Sequence, residues 1–185
     1  MLLPEVAANT CLETLCLDRS IFQDVDKLSV LAKFDFFVRT TFRNRKIDRG
    51  VVAVQGFQEI KSLRDAYVHP KRKPVDWQAS EISSDGSEEH IEAPKRTSLL
   101  QISQLTGSWG SDEARCVMVA VHRFLKYVFK DVCKLPATAA TALLFSEEQT
   151  PDRTQPYVPY FDKDVKGLLK QWGVDTSYLR LSWFT

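Results

Sequence analysis

Apolar positions along the chain repeat mostly at steps of three and four, which predicts helices separated by loops. Val25, Leu28, Leu31, Ala32, Phe34, Val38 and Phe42 predict one long helix over about 22–45. Gly50 marks a break. Val51, Val54, Phe57, Ile60, Leu63 and Tyr67 then predict a second helix, which Pro70 ends because a proline disfavours helical geometry in the residue before it. The strongest pattern runs through Ala114, Val117, Met118, Val121, Phe124, Leu125, Val128, Phe129 and Val132 and stops at Pro136. Ser111 is its expected N-cap, and Asp112 and Glu113 place negative charge at the positive end of the helix dipole. A shorter apolar segment, 135–145, follows, and 163–172 reads as a last short helix ending at Gly173.

Two stretches lack such periodicity. Residues 71–97 are polar and acid-rich, with Pro74, Gly86 and Pro94, so a long loop and no folded element is expected, pinned at one point by Trp77. Residues 146–162 hold Pro151, Pro156 and Pro159 and read as another loop. The tail Tyr178–Trp183 alternates as a short strand would, though helix or coil fit as well. The expectation is an all-α helical bundle, one domain over 1–185. Its core is expected over about 20–70 and 98–145, with a long polar loop at about 71–97 and a C-terminal extension over 146–185.

Composition narrows the classes of function. At 185 residues, 44% apolar and 26% charged, the chain suits one soluble domain. Its net charge of +1, from 25 basic and 24 acidic residues, argues against a broad basic coat for nucleic acid, so such contact should be local. No basic leader or apolar run suggests a signal peptide or membrane span, so a cytoplasmic protein without a membrane partner is expected. Cys11, Cys16, Cys116 and Cys133 lack metal-like spacing and are expected to be reduced, with Cys11 and Cys16 on an N-terminal helical face. No histidine pair has ligand spacing, so neither a metal nor a cofactor is predicted. His122 reads as a partly buried core residue and His90 as solvated.

Candidate chemistry is densest at Arg64-Asp65-Ala66-Tyr67-Val68-His69-Pro70. On an ideal helix five steps of about 100° would leave Arg64 and His69 roughly 140° apart. The pre-proline position frees His69 from helical geometry, so the imidazole can swing towards the last turn, where the long Arg64 side chain also reaches. A guanidinium and an imidazole in one pocket suit RNA cleavage. The imidazole exchanges protons with the 2′-hydroxyl or leaving group, and the guanidinium stabilises phosphoryl oxygens. Asp65 could orient a side chain or water, Tyr67 could contact a base or phosphate, and Lys71, Arg72 and Lys73 would add phosphate attraction. The plain alternative is a surface ion pair for Arg64, with Glu59, Asp65 or Glu5, and a simple helix C-cap at His69.

At these residues, and most strongly over 22–73, the chain resembles the HEPN superfamily. The family hallmark is an Arg, often with a polar residue after it, and a His four to six positions beyond, late in a helix of an all-α bundle. The resemblance implies a metal-independent endoribonuclease, often a toxin or antiphage component, whose active site forms where two motifs face each other in a homodimer. It implies catalytic roles for Arg64 and His69 with Asp65 as polar partner, and an antitoxin or other protein as a further partner. Some members are non-catalytic binding or scaffold domains, and that is the alternative reading.

Other features read more plainly. Arg39, Arg43, Arg45, Lys46 and Arg49 form a basic run expected to be a solvated helix end, although Arg39, Arg43 and Lys46 share a face that could meet phosphate. The run should lie far from Arg64 if the helices on either side of Gly50 pair antiparallel. Trp109, Trp172, Trp183 and the Tyr157–Phe161 stretch could line a partner surface or pack a fixed loop onto the bundle.

Overall fold

The computed structural model describes residues 2–69, 77–79, 90–92, 95–144 and 160–183. These form a mostly helical body of α1 (Leu2–Glu13), α2 (Arg19–Asp26), α3 (Val30–Thr41), α4 (Val52–Val68), α5 (Ser111–Lys126), α6 (Ala137–Leu144) and α7 (Lys163–Gln171). The all-α expectation holds at this level. None of the described helices is long and apolar enough to cross a membrane.

The centre is aromatic. Phe57 of α4 stacks on Phe124 of α5, with centroids 4.1 Å apart and planes 6° from parallel. Phe34 of α3 meets Phe124 and Phe129 edge-on at 5.4 and 5.9 Å. All four side chains are fully buried, the geometry that aromatic quadrupoles favour. The same cluster takes in Ala7, Ala8 and Cys11 of α1 and Tyr178 near the C-terminus, so the core reaches beyond the spans expected to build it.

The predicted long helix over 22–45 is two helices. The chain breaks at Lys27–Ser29, where Ser29 is extended (φ −64°, ψ 154°) and opens α3. The break lets Lys33 reach back: its Nζ donates to Asp26 Oδ1 of α2 at 2.5 Å and to Asn9 Oδ1 of α1 at 2.8 Å. A buried ammonium needs such partners, and a straight helix would hold residue 26 two turns, about 10.5 Å, along the axis from residue 33. After α3, Asn44 takes φ +61°, a conformation that asparagine tolerates better than most residues.

The central helix begins one residue earlier than expected. Gly110 is its N-cap, with Glu113 Oε2 accepting the Gly110 N–H at 3.0 Å, and Ser111 is the first helical residue. Its last turn widens into a π-helical stretch, Tyr127–Val132, in which Cys133 N–H donates five residues back to Val128 O at 2.9 Å. The helix stops at Lys134, with φ +55°. Arg45 closes this end, Nη1 donating to Val132 O at 2.9 Å and Cys133 O at 2.7 Å.

Two described stretches within 71–97 depart from the loop expectation. Trp77–Ala79 (β1) and His90–Glu92 (β2) pair antiparallel, forming a short ribbon. Tyr160–Phe161 (β3) and Ser182–Trp183 (β4) pair in parallel, so the tail takes the strand alternative at its end.

The C-terminal segment docks through Tyr178 Oη, 3.0 Å from His122 Nδ1, and through an ion pair of Asp175 with Lys126. Lys126 and the Ser177 hydroxyl and amide hold the Asp175 carboxyl well below its ordinary value. Burial pushes the His122 imidazole down, so it is neutral at pH 7. Both folded-state values lie below the unfolded ones. Both groups therefore stabilise at neutral pH and lose that contribution on acidification, His122 as pH falls below about 6.5 and Asp175 below about 4. The protection factors of the Tyr178 and Leu179 amides, taken against their intrinsic exchange rates, should fall between pH 7 and pH 4 as His122 gains its proton and fall further below pH 4 as Asp175 does, and Asp175→Asn should lower them already at pH 7.

Candidate functional site

Arg64, Asp65, Tyr67 and His69 lie together at the C-terminal end of α4. Arg64 Nη2 is 3.4 Å from Glu5 Oε2 of α1, and its Nη1 donates to Asp65 Oδ1 at 3.3 Å. Each side chain of this cluster is partly exposed, Arg64 at 42%. Asp65 also receives Lys61 Nζ at 2.6 Å, one helical turn earlier. That hydrogen bond, with Arg64 beside it, keeps the Asp65 carboxyl below its ordinary value. Asp65 is therefore ionised at neutral pH and acts as an anion that orients Arg64 and Lys61; it is poorly matched to proton transfer.

His69 is the C-cap. Its φ of −123° and ψ of 70° are outside the helical region, as the following proline favours, and its N–H donates to Asp65 O at 2.9 Å. The side chain is exposed. Among the described residues no hydrogen bond or ion pair joins Arg64 to His69, although the two share a helix end. Arg64 thus forms the surface ion pair of the plain alternative, with two of its three candidate partners, and His69 takes the C-cap geometry. Pro70, Lys71, Arg72 and Lys73 lie outside the described residues, as do Tyr157–Pro159 and the side chains of Trp77, His90 and Trp183.

The third expected partner, Glu59, is engaged elsewhere. Its carboxylate accepts the Ser98 hydroxyl at 2.7 Å and the amides of Leu99 and Leu100 at 2.8 and 2.9 Å. Partial burial alone would raise its pKa; the bonds from Leu100, Ser98 and Leu99 outweigh it and hold the carboxyl below its ordinary value. Glu59 anchors the turn at 98–100 to α4.

Past that anchor, residues 101–110 bring a second set of groups to Arg64. The 3₁₀ turn Thr106–Ser108 and Trp109 meet Ile60, Arg64, Tyr67 and Val117 around an open cavity of about 340 Å³. Trp109 Nε1 donates to Ser103 O at 2.8 Å, and Ser103 Oγ accepts the Leu105 N–H at 3.1 Å, so this wall is internally braced. Trp109 thus follows the packed-loop expectation while one side of it faces the cavity. Thr106, Gly107 and Trp109 lie more than forty positions from Arg64 and carry no local signal that would attach them to it.

The basic run is far away. Arg39 Nε pairs with Asp35 Oδ2 at 2.8 Å, while Arg45 binds the carbonyls of Val132 and Cys133. Val117 lines the Arg64 cavity, and fifteen residues of α5 and its π turn separate Val117 from Val132, about 22 Å at helical rise. Arg45 is structural.

All four cysteines are free, Cys11 and Cys133 buried, Cys116 half-buried and Cys16 exposed. Burial raises the Cys11 thiol and pushes Cys133 up to about 12. His122 is buried, as expected. Among the described residues no group of three or more His, Cys, Asp or Glu side chains is placed to hold a metal ion. Comparison with protein-family models, curated proteins and solved structures returned no match, so the reading of this site rests on its own geometry.

Proposed function

We propose that this chain is a HEPN-type endoribonuclease that works as a homodimer, with Arg64 and His69 as its reacting groups and RNA as substrate. The observation that carries the reading is the co-location of a half-exposed guanidinium, an exposed imidazole and an aromatic-lined cavity at one helix end. Arg64 would stabilise charge on the phosphoryl oxygens, and His69 would take the 2′-hydroxyl proton or protonate the leaving oxygen. Asp65 would hold Arg64 in place; Tyr67, Lys71, Arg72 and Lys73 would bind the strand around the cut. One copy offers a single such pair. Tyr67 (71% exposed) and Val68, between them in sequence, leave apolar surface at this helix end that a second copy would cover. A toxin or antiphage role, with an antitoxin partner, follows from the resemblance alone.

A second reading has its own observation. The Glu5 and Asp65 pairs satisfy Arg64, and the backbone alone makes the His69 cap, as in a non-catalytic module whose helix end is a partner-binding or dimeric scaffold surface. The test is incubation of single-stranded and structured RNA with the protein in excess chelator, alongside its molar mass in solution. Cleavage by a dimer, abolished in Arg64→Ala, is expected. Intact RNA, or equal cleavage by Arg64→Ala, leaves the scaffold reading.

A further inference from the structure

We infer that the cavity beside Arg64 is a nucleobase subsite, and that the phosphate of the bound nucleotide displaces Glu5 from the guanidinium. The inference deepens the ribonuclease reading, on which it rests for RNA as the natural ligand, but the subsite has features of its own.

At about 340 Å³ the cavity is near the lower end of the range for small-molecule sites, with room for a nucleobase. Its wall combines the apolar Ile60 and Val117 with two aromatic side chains, Tyr67 and Trp109. Aromatic faces bind unstacked bases whatever their identity, which is the usual way proteins hold single-stranded RNA. Thr106 adds a hydroxyl beside the exposed backbone of Gly107, the kind of group that reads a base edge. The positive charge of Arg64 lines the same space, where a phosphate attached to the nucleoside would lie.

Glu5 is then a built-in competitor. Its carboxylate holds the guanidinium at 3.4 Å, in a partly exposed pair that a phosphate, with more charge and more acceptor atoms, can replace. The other groove along α4 is larger, about 690 Å³, but is a poor rival for an anionic ligand. The Glu59 carboxylate lines it, and Arg96 there already donates to the Gln101 carbonyl at 2.5 Å.

Gly107 provides a clean test. Gly107 lines the cavity, and a Cβ built there meets nothing within 4 Å, so a leucine fits at the cavity's edge without a clash. Nucleoside 3′-monophosphates, the matching nucleosides and inorganic phosphate are titrated into the full chain. Binding is followed by calorimetry and by the Trp109 indole N–H resonance. The monophosphates are expected to bind at least tenfold more tightly than either half alone and to shift that resonance. Gly107→Leu should lose tenfold or more for the monophosphates while keeping its affinity for inorganic phosphate and its circular dichroism. Glu5→Gln should bind phosphate-bearing ligands about two- to five-fold more tightly, the range of an exposed ion pair. Unchanged nucleotide binding in Gly107→Leu, or no advantage of nucleotide over phosphate in the wild type, overturns the subsite. No gain in Glu5→Gln overturns the competition. The probes are not cleaved, so the outcome is separate from catalysis. Nucleotide binding without RNA cleavage would sink the enzyme and keep the subsite; cleavage with no nucleotide binding would do the reverse.

Discussion

Truncating Phe124 to alanine is expected to cost about 3–5 kcal/mol of folding free energy, the upper range for a buried aromatic. The ring is fully buried and meets Phe57 face to face and Phe34 edge to face. Those partners sit on different helices. Phe57 is held by α4, itself tied to the 98–100 turn through Glu59, and Phe34 by α3, tied to α1 and α2 through Lys33. Neither helix can move into the gap without breaking its other attachments, so the cavity persists. Chemical denaturation should show a large drop in midpoint with little change in slope. A loss below about 1 kcal/mol would mean that the helices do close the gap and are not held by their other attachments.

His69→Ala should lower RNA cleavage by roughly 10²- to 10⁴-fold, the usual size of a general acid–base contribution. Stability should hardly change. The imidazole is exposed, and the cap bond runs from the backbone N–H of residue 69 to Asp65 O, which alanine keeps. That separation makes the variant informative: lost cleavage with an unaltered melting curve assigns the effect to chemistry. Equal RNA decay by wild type and His69→Ala would remove the imidazole from the mechanism.

Much of the helical framework is legible from residue spacing alone. The elements α4, α5 and α7 follow their apolar periodicity closely, with Gly173 at φ +70° ending α7 where expected, while α6 lies in the apolar segment 135–145, to which no helical period is assigned. Failures come where tertiary contacts override local preference. The pattern over 22–45 is continuous across Lys27–Ser29, but the break depends on Asn9 and Asp26 being near Lys33, which no window of sequence reveals. In α1 apolar residues surround most of the helix, so it lacks the one-sided stripe by which periodicity identifies a surface helix. The ribbon of β1 and β2 lies in a stretch whose composition argues for a loop.

The candidate site divides similarly. Arg64, Asp65, Tyr67 and His69 are adjacent in sequence, and Glu5 is among the partners that charge alone suggests. Thr106, Gly107 and Trp109 come to Arg64 only because Glu59 anchors the turn that precedes them.

Lys33 has a consequence for how the chain selects its fold. An apolar side chain of similar length would stabilise the body as well or better, since burying an ammonium costs nearly all that its partners return. Sliding α3 by one residue, or rotating it towards a neighbouring groove, would leave that ammonium buried without Asp26 or Asn9, at several kcal/mol. Hydrophobic burial is non-directional, so it does not by itself fix the register of α3. A single buried cation with two designated partners removes that degeneracy. It acts as a key: it adds little strength to the assembled helices and rejects their near-misses.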